Sequence, residues 1–334
     1  MHMHITGGGG EAGPASRTPE AKLSEILNAG ITTVVGILGT DPVSRSQENL
    51  VVKSRALEAD GITCFHWCGS YRLPSATATG SVMRDLLLLE GCLGVGEVAV
   101  SDHRGSVPTP HDLAVLASEA RVGGMLGGKA GLVHCHMGPG KALLSPLREA
   151  IAASNGDLPI TQFLPTHMDR SPELVADGAR WLQDGGFLDF TCQEEACRKA
   201  LESYRKQDLP LSHCTVSTDA FGSWPKFDEQ GKLVEYDVAD PGAMLRFLRA
   251  MHFEEPHWPL EQILPLMTSN PAARLQLPRK GRLQPGCDAD ILLLDAESLV
   301  LRYVLAKGEV VKTPEWVRGG FFEHGPGIRP RRPA

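Results

Sequence analysis

The chain has 334 residues, 42% hydrophobic and 22% charged, with a formal net charge of −7. That is the balance of a soluble globular protein of one large or two smaller domains. The acidic balance, with Lys and Arg scattered, argues against a nucleic-acid partner. No run of about 18 apolar residues exists to cross a membrane. No basic segment followed by an apolar stretch marks a signal peptide. The eight cysteines include several inside apolar runs and no C-x-x-C pair, which points to a cytoplasmic protein without disulfides.

The chain opens on His2-Met3-His4. On a β-strand, residues two apart share a face, so both imidazoles can reach one metal ion. Gly7 to Gly10 then gives backbone freedom before the carboxylate of Glu11. Thr18-Pro19-Glu20 predicts a helix start with Thr18 as N-cap, and Gly30 closes that helix. Residues 31–38 follow as an apolar, β-rich run. Further apolar runs fall near 61–68, 95–101, 132–137, 161–166, 188–192 and 211–218. Amphipathic stretches between them include 112–120, 144–153, 172–183 and 194–206. With a strand expected to end at His4, the pattern makes eight βα units, read as an α/β fold of the (β/α)8 TIM-like barrel type. A doubly wound sheet is the alternative architecture. After about residue 275 the chain turns to short strands at 289–294, 299–306 and 309–312, a small β appendage. The division is a barrel at 1–275, part of a small β-domain at 276–323 and a disordered Pro- and Arg-rich tail at 324–334.

Catalytic residues of such barrels sit at the C-terminal strand ends. There the sequence offers His2 and His4, Glu97 in an apolar run, His136, His167 and Asp219. Four histidines and two carboxylates suit two divalent ions bridged by a carboxylate. His134 competes with His136 and points the same way; His136 is preferred as nearer the strand end. Each residue alone has a plainer reading: an exposed strand carboxylate for Glu97, a helix cap for His167, a turn residue for Asp219. The other histidines are read as core or surface residues.

This constellation resembles the amidohydrolase superfamily, as do Thr268-Ser269-Asn270-Pro271-Ala272 and Gly286-Cys287-Asp288-Ala289-Asp290-Ile291 near the end. Within it the chain resembles the isoaspartyl (β-aspartyl) dipeptidases. The motifs that carry this are Gly7–Gly10 with Glu11, Leu38-Gly39-Thr40-Asp41, Gly69-Ser70-Tyr71, Ser101-Asp102-His103-Arg104, His136-Met137-Gly138, Pro165-Thr166-His167-Met168-Asp169-Arg170 and Asp219-Ala220-Phe221-Gly222-Ser223. The resemblance implies two zinc ions, one held by His2, His4 and Asp219, the other by His136 and His167. It implies that Glu11 takes the substrate α-amino group, Arg104 and Arg170 its carboxylates, and Tyr71 the scissile carbonyl. Thr40 and Ser223 would line the pocket. A metal-bridged water has its pKa lowered to about 7, and Asp219 could carry its proton to the leaving amine. The expected reaction is hydrolysis of β-aspartyl dipeptides by a metal-bridged hydroxide. The alternatives are an N-acyl amino acid or cyclic amide hydrolase, or a catalytically impaired fragment. The resemblance further implies a homo-oligomer.

Two departures from the family pattern stand out. The family bridges its metals with a carboxylated lysine; here Glu97 occupies that region after an apparent one-residue insertion, and is expected to bridge without CO2. The family also carries a longer N-terminus, so the first barrel strand and part of the β-domain are expected to be missing. On that expectation the protein would fold poorly or bind zinc weakly, with residue 1 a misassigned start.

Overall fold

The computed structural model describes residues 1–193, 195–227, 233–255 and 257–323. The expected tail at 324–334, with His324 and its arginines, lies outside the described residues, as does Glu194. The continuous apolar runs become parallel strands, because a strand covered on both faces has no polar side. They are β1 Thr33–Gly36, β2 Thr63–Cys68, β3 Cys92–Val100, β4 Leu132–Met137, β5 Phe163–Thr166, β6 Leu188–Thr191 and β7 Cys214–Ser217. β1 to β5 form one sheet in sequence order and β6 pairs with β7, all parallel. The two sheets meet where Met168 N donates to Asp189 O at 3.3 Å.

The expected strand ending at His4 is reduced to a bridge. Met3 pairs in parallel with Gly36 of β1 on one side and with Ala220, beyond β7, on the other. His4 N donates to Ala220 O (2.9 Å) and Ile37 N to Met3 O (3.1 Å). This short segment closes the ring that the eight-unit pattern predicts.

Helices cover the ring: α1 Leu23–Asn28, α2 Gln47–Ala59, α3 Val82–Leu88, α4 Pro110–Gly127, α5 Ser145–Ala153, α6 Pro172–Gln183, α7 Glu195–Lys206, α8 Ala243–Glu254, α9 Leu260–Ile263 and α10 Ser269–Arg274. Among the described residues none is long and apolar enough to cross a membrane. The predicted helix start at Thr18 is overturned. Thr18 Oγ1 accepts from Gly8 N and donates to Phe221 O, both at 2.6 Å. It therefore ties the Gly-rich loop to the segment after Asp219 rather than capping a helix. α1 begins at Leu23, and the Glu323 carboxylate takes its free Leu23 and Ser24 amides at 2.7 and 3.2 Å.

Two further strands, β8 Ser223–Phe227 and β9 Leu233–Val238, form an antiparallel ribbon that the sequence reading missed. The appendage is a three-stranded antiparallel sheet: β10 Ile291–Leu294, β11 Leu301–Ala306 and β12 Glu309–Lys312. Its Val304, Ala306 and Val311 share a core with Met3, Ile5, Leu23, Ile26 and Leu27, so the sheet is anchored on α1. Its other face leaves Leu293, Tyr303 and Val310 exposed. All eight cysteines are free, seven of them buried.

Candidate metal centre

The centre is built at the C-terminal strand ends. His2 and His4 flank Met3, whose side chain packs into the core, so both imidazoles turn to the barrel axis. Glu97 reaches the axis through a bulge. β3 advances from Val95 to Val98 while β4 advances only from Val133 to Cys135, so one extra residue sits at 96–97. A bulge redirects the side chain it carries. Gly96 permits it, because a Cβ there would lie 2.6 Å from His134 O. His167 and Asp219 follow β5 and β7 with φ of 60° and 52°, the left-handed region that non-glycine residues rarely occupy.

These side chains converge on one buried point. His2 Nε2 lies 3.2 Å and His4 Nε2 3.0 Å from Asp219 Oδ1. Glu97 Oε2 lies 3.4 Å from His2 Nε2 and 3.7 Å from His4 Nε2. Its other oxygen, Oε1, lies 2.7 Å from His136 Nδ1 and 2.9 Å from His167 Nε2. One carboxylate therefore turns one oxygen to each pair of histidines. His2, His4 and Asp219, and likewise His2, Glu97 and His167, bring their ligand atoms within 4.8 Å of one another.

The electrostatics favour a cation there. Burial alone would raise the Glu97 and Asp219 carboxyls, but the histidines facing each hold both well below the usual range. Burial lowers His2, yet Glu97 and Asp219 hold it at about 10, a measure of the pull on positive charge. Burial, with Arg170 and His136 adding to it, drops His167 to about 3 and keeps it neutral, as a ligand must be. Its Nδ1 meets Thr191 Oγ1 at 2.7 Å, which leaves Nε2 to face Glu97 Oε1. His2 Nε2, Glu97 Oε2 and Asp219 Oδ1 are buried without a hydrogen-bond partner among the described residues. Each would cost about 1–3 kcal/mol if nothing satisfied it. Three such atoms facing one another fit a metal ion.

The other site residues surround this point. Tyr71 Oη is 2.8 Å from His136 Nδ1. Burial, then the nearby Glu97 carboxylate, push the phenol well above its usual range, so it stays a donor. Arg104 lies over the Tyr71 ring at 5.3 Å, and Arg170 Nη1 is 3.1 Å from His136 Nε2. Glu11 accepts from Thr40 (3.0 Å) and Ser223 (3.3 Å) at the rim, 3.8 Å from Arg104. The Gly-rich loop delivers Glu11; Gly9 has φ of 73°, and a Cβ there would sit 2.5 Å from Ser16 O. All residues expected at the site are thus brought together.

Sequence reasoning missed the part that three neighbours play. His134 lies beneath His2, its Nε2 3.2 Å from His2 Nδ1, and stacks on Trp67. It backs the cluster rather than competing with His136. Asp189 on β6 accepts from Thr166, Thr215 and Ser217. Asp102 lies 3.1 Å from His136 Nε2. The motif containing Asp102 was visible, but the contact is tertiary and leaves no periodic trace.

The amidohydrolase family profile matches residues 195–323. The chain is similar to the β-aspartyl dipeptidase of the thermophilic, keratin-degrading Fervidobacterium islandicum AW-1, whose crystal structure contains a β-Asp-Leu dipeptide. Identity is 42% over 93% of this chain and 83% of that one, with a TM-score of 0.88. A second crystal structure of that organism's dipeptidase matches at 39% identity over 95% and 82%, with a TM-score of 0.86. Dihydropyrimidinase from Brevibacillus agri NCHU1002 shares the fold at 13% identity, covering 96% and 84% with a TM-score of 0.61. With its ligand-lined barrel and these relatives, the chain belongs to the amidohydrolase family and is a peptidase of its β-aspartyl dipeptidase group.

Proposed function

We propose that the protein hydrolyses β-aspartyl dipeptides at a two-zinc centre bridged by Glu97. The observation that carries this reading is the divided Glu97 carboxylate, one oxygen facing His2 and His4 and the other His136 and His167. His2, His4 and Asp219 would hold one ion, and His136 and His167 the other. Glu97 is already a carboxylate, so assembly requires no CO2. Bound zinc would supply Lewis acidity and hydroxide at neutral pH.

The protein's own groups do the rest. Glu11, held by Thr40 and Ser223, receives the substrate ammonium. Arg104 and Arg170 present forked donors matched to carboxylates. Tyr71 donates its O–H to the scissile carbonyl oxygen and to the oxyanion that grows there. Asp219, ionised and aimed at the same point, accepts a proton from the attacking water and returns it to the leaving amine. A zwitterionic dipeptide with two carboxylates matches this charge pattern. The similarity to a dipeptidase crystallised with β-Asp-Leu supports the linkage. The barrel is read as residues 1–275 and the appendage as 276–323. The buried free thiols favour the cytoplasm.

The test is a substrate panel on zinc-loaded protein: β-Asp-Leu, α-Asp-Leu, N-acyl amino acids and hydantoins. Selective cleavage of β-Asp-Leu is expected. Preference for a hydantoin or N-acyl substrate would replace this reading.

A further inference from the structure

We infer that Asp102 is a positioning residue that fixes the tautomer of His136, and that the same carboxylate anchors Arg104. The inference rests on the two-ion reading above.

His136 meets Glu97 Oε1 and Tyr71 Oη through Nδ1, at 2.7 and 2.8 Å. Holding an ion from that side requires a lone pair on Nδ1, and the proton must then sit on Nε2. Three groups crowd Nε2: Arg104 Nη2 at 3.0 Å, Arg170 Nη1 at 3.1 Å and Asp102 Oδ2 at 3.1 Å. A guanidinium only donates, so both arginines favour a bare Nε2 and therefore a proton on Nδ1. That tautomer points N–H at the ion position. With an ion on Nδ1, Asp102 Oδ2 is the acceptor among the three for the Nε2 proton; without one, the ionised Glu97 Oε1, 2.7 Å from Nδ1, accepts from that side instead.

Asp102 is itself firmly placed. Its Oδ1 accepts from Arg104 N at 2.8 Å and Arg104 Nε at 3.1 Å, and its Oδ2 from Arg104 Nη2 at 2.8 Å. The residue is 8% exposed. The other three ligand histidines show why a carboxylate is used here. His2 turns its distal nitrogen to His134 and Thr166, and His167 turns its own to Thr191, all uncharged groups, while the distal nitrogen of His4 has no hydrogen-bond partner among the described residues. His136 is the one pressed by two cations. Carboxylates behind metal-bound histidines set ring orientation and tautomer, and their loss typically weakens metal binding about 10–100-fold. Here the carboxylate also links the second ion position to a substrate-binding arginine.

The experiment is zinc titration of metal-free protein against a competing chelator, with melting curves to check the fold. Asp102→Leu removes the acceptor and is expected to bind the second ion about 10–100-fold more weakly, with the first ion unchanged. Asp102→Asn keeps one acceptor oxygen but loses the clamp on Arg104; it is expected to retain both ions while KM rises more than kcat falls. Two ions at native affinity in Asp102→Leu would overturn the inference alone. Fewer than two in the native protein would overturn the two-ion reading and the inference with it.

Discussion

Two buried carboxylates inside this barrel are built in opposite ways. Asp189 on β6 is sealed: Thr215 donates to one oxygen at 2.6 Å, and Thr166 and Ser217 to the other at 2.8 and 2.5 Å. Glu97 on β3 faces four imidazoles and keeps one oxygen without a hydrogen-bond partner among the described residues. Both residues are fully buried. The difference separates architecture from chemistry: a satisfied polar cluster holds strands together, whereas convergent unsatisfied lone pairs await a ligand. His66 on β2 supplies a control. It is buried, and both ring nitrogens lack a partner among the described residues. Burial, with a smaller contribution from Lys129, lowers it to about 4, and no carboxylate contributes. An orphaned group with nothing converging on it is a cost to stability, not a site.

The contrast can be broken at several points. The largest effect belongs to Asp219, which combines ligand and proton carrier. Asp219→Ala is expected to lower kcat by about 10⁴-fold, the upper range for a general acid–base group, and to weaken zinc binding as well. Steady-state kinetics with β-Asp-Leu and metal analysis read both. Tyr71→Phe removes a donor without removing a ligand. A kcat loss on the order of 10²–10³-fold with unchanged zinc content is expected, and loss of zinc would show that Tyr71 organises the ligands instead.

The third prediction concerns His66 and stability against pH. Its folded pKa of about 4 lies below the unfolded value of about 6.5, so the unfolded chain binds the proton first. The stability from keeping this ring neutral is complete above pH 6.5 and falls away between pH 6.5 and 4, by about 3 kcal/mol. His66→Leu should flatten that limb of the denaturation profile and leave activity alone. An unchanged slope would mean that the ring finds a partner in solution. The smallest effect is at the sealed carboxylate. Asp189→Asn should cost about 1–3 kcal/mol by urea denaturation while zinc content and kcat stay within a few-fold. If it empties the metal centre instead, the two clusters are one.

Much of the barrel was legible because its strands are covered on both faces and read as unbroken apolar runs. His2, His4, Glu97, His136, His167 and Asp219 were legible because strand ends fix where side chains converge. The misses share a cause. Thr18 followed by Pro19 and Glu20 has the local signature of a cap, but its hydroxyl bonds to Gly8 and Phe221, the latter 203 positions away, and tertiary contact overrode local preference. β9 alternates in Val234-Glu235-Tyr236-Asp237-Val238, but its apolar members stay exposed, so it lacks the unbroken apolar run by which the barrel strands were read. The bulge that aims Glu97 takes the register with β4 to recognise. Asp102 lay in view within Ser101-Asp102-His103-Arg104, but its value depends on two arginines that meet only at His136.

The central claim is that a genetically encoded carboxylate bridges two ions, and zinc analysis of native protein beside Glu97→Ala, both produced without added bicarbonate, tests it most directly. Two zinc ions per native chain and a clear loss in the variant are predicted. Two zinc ions in Glu97→Ala would contradict the account.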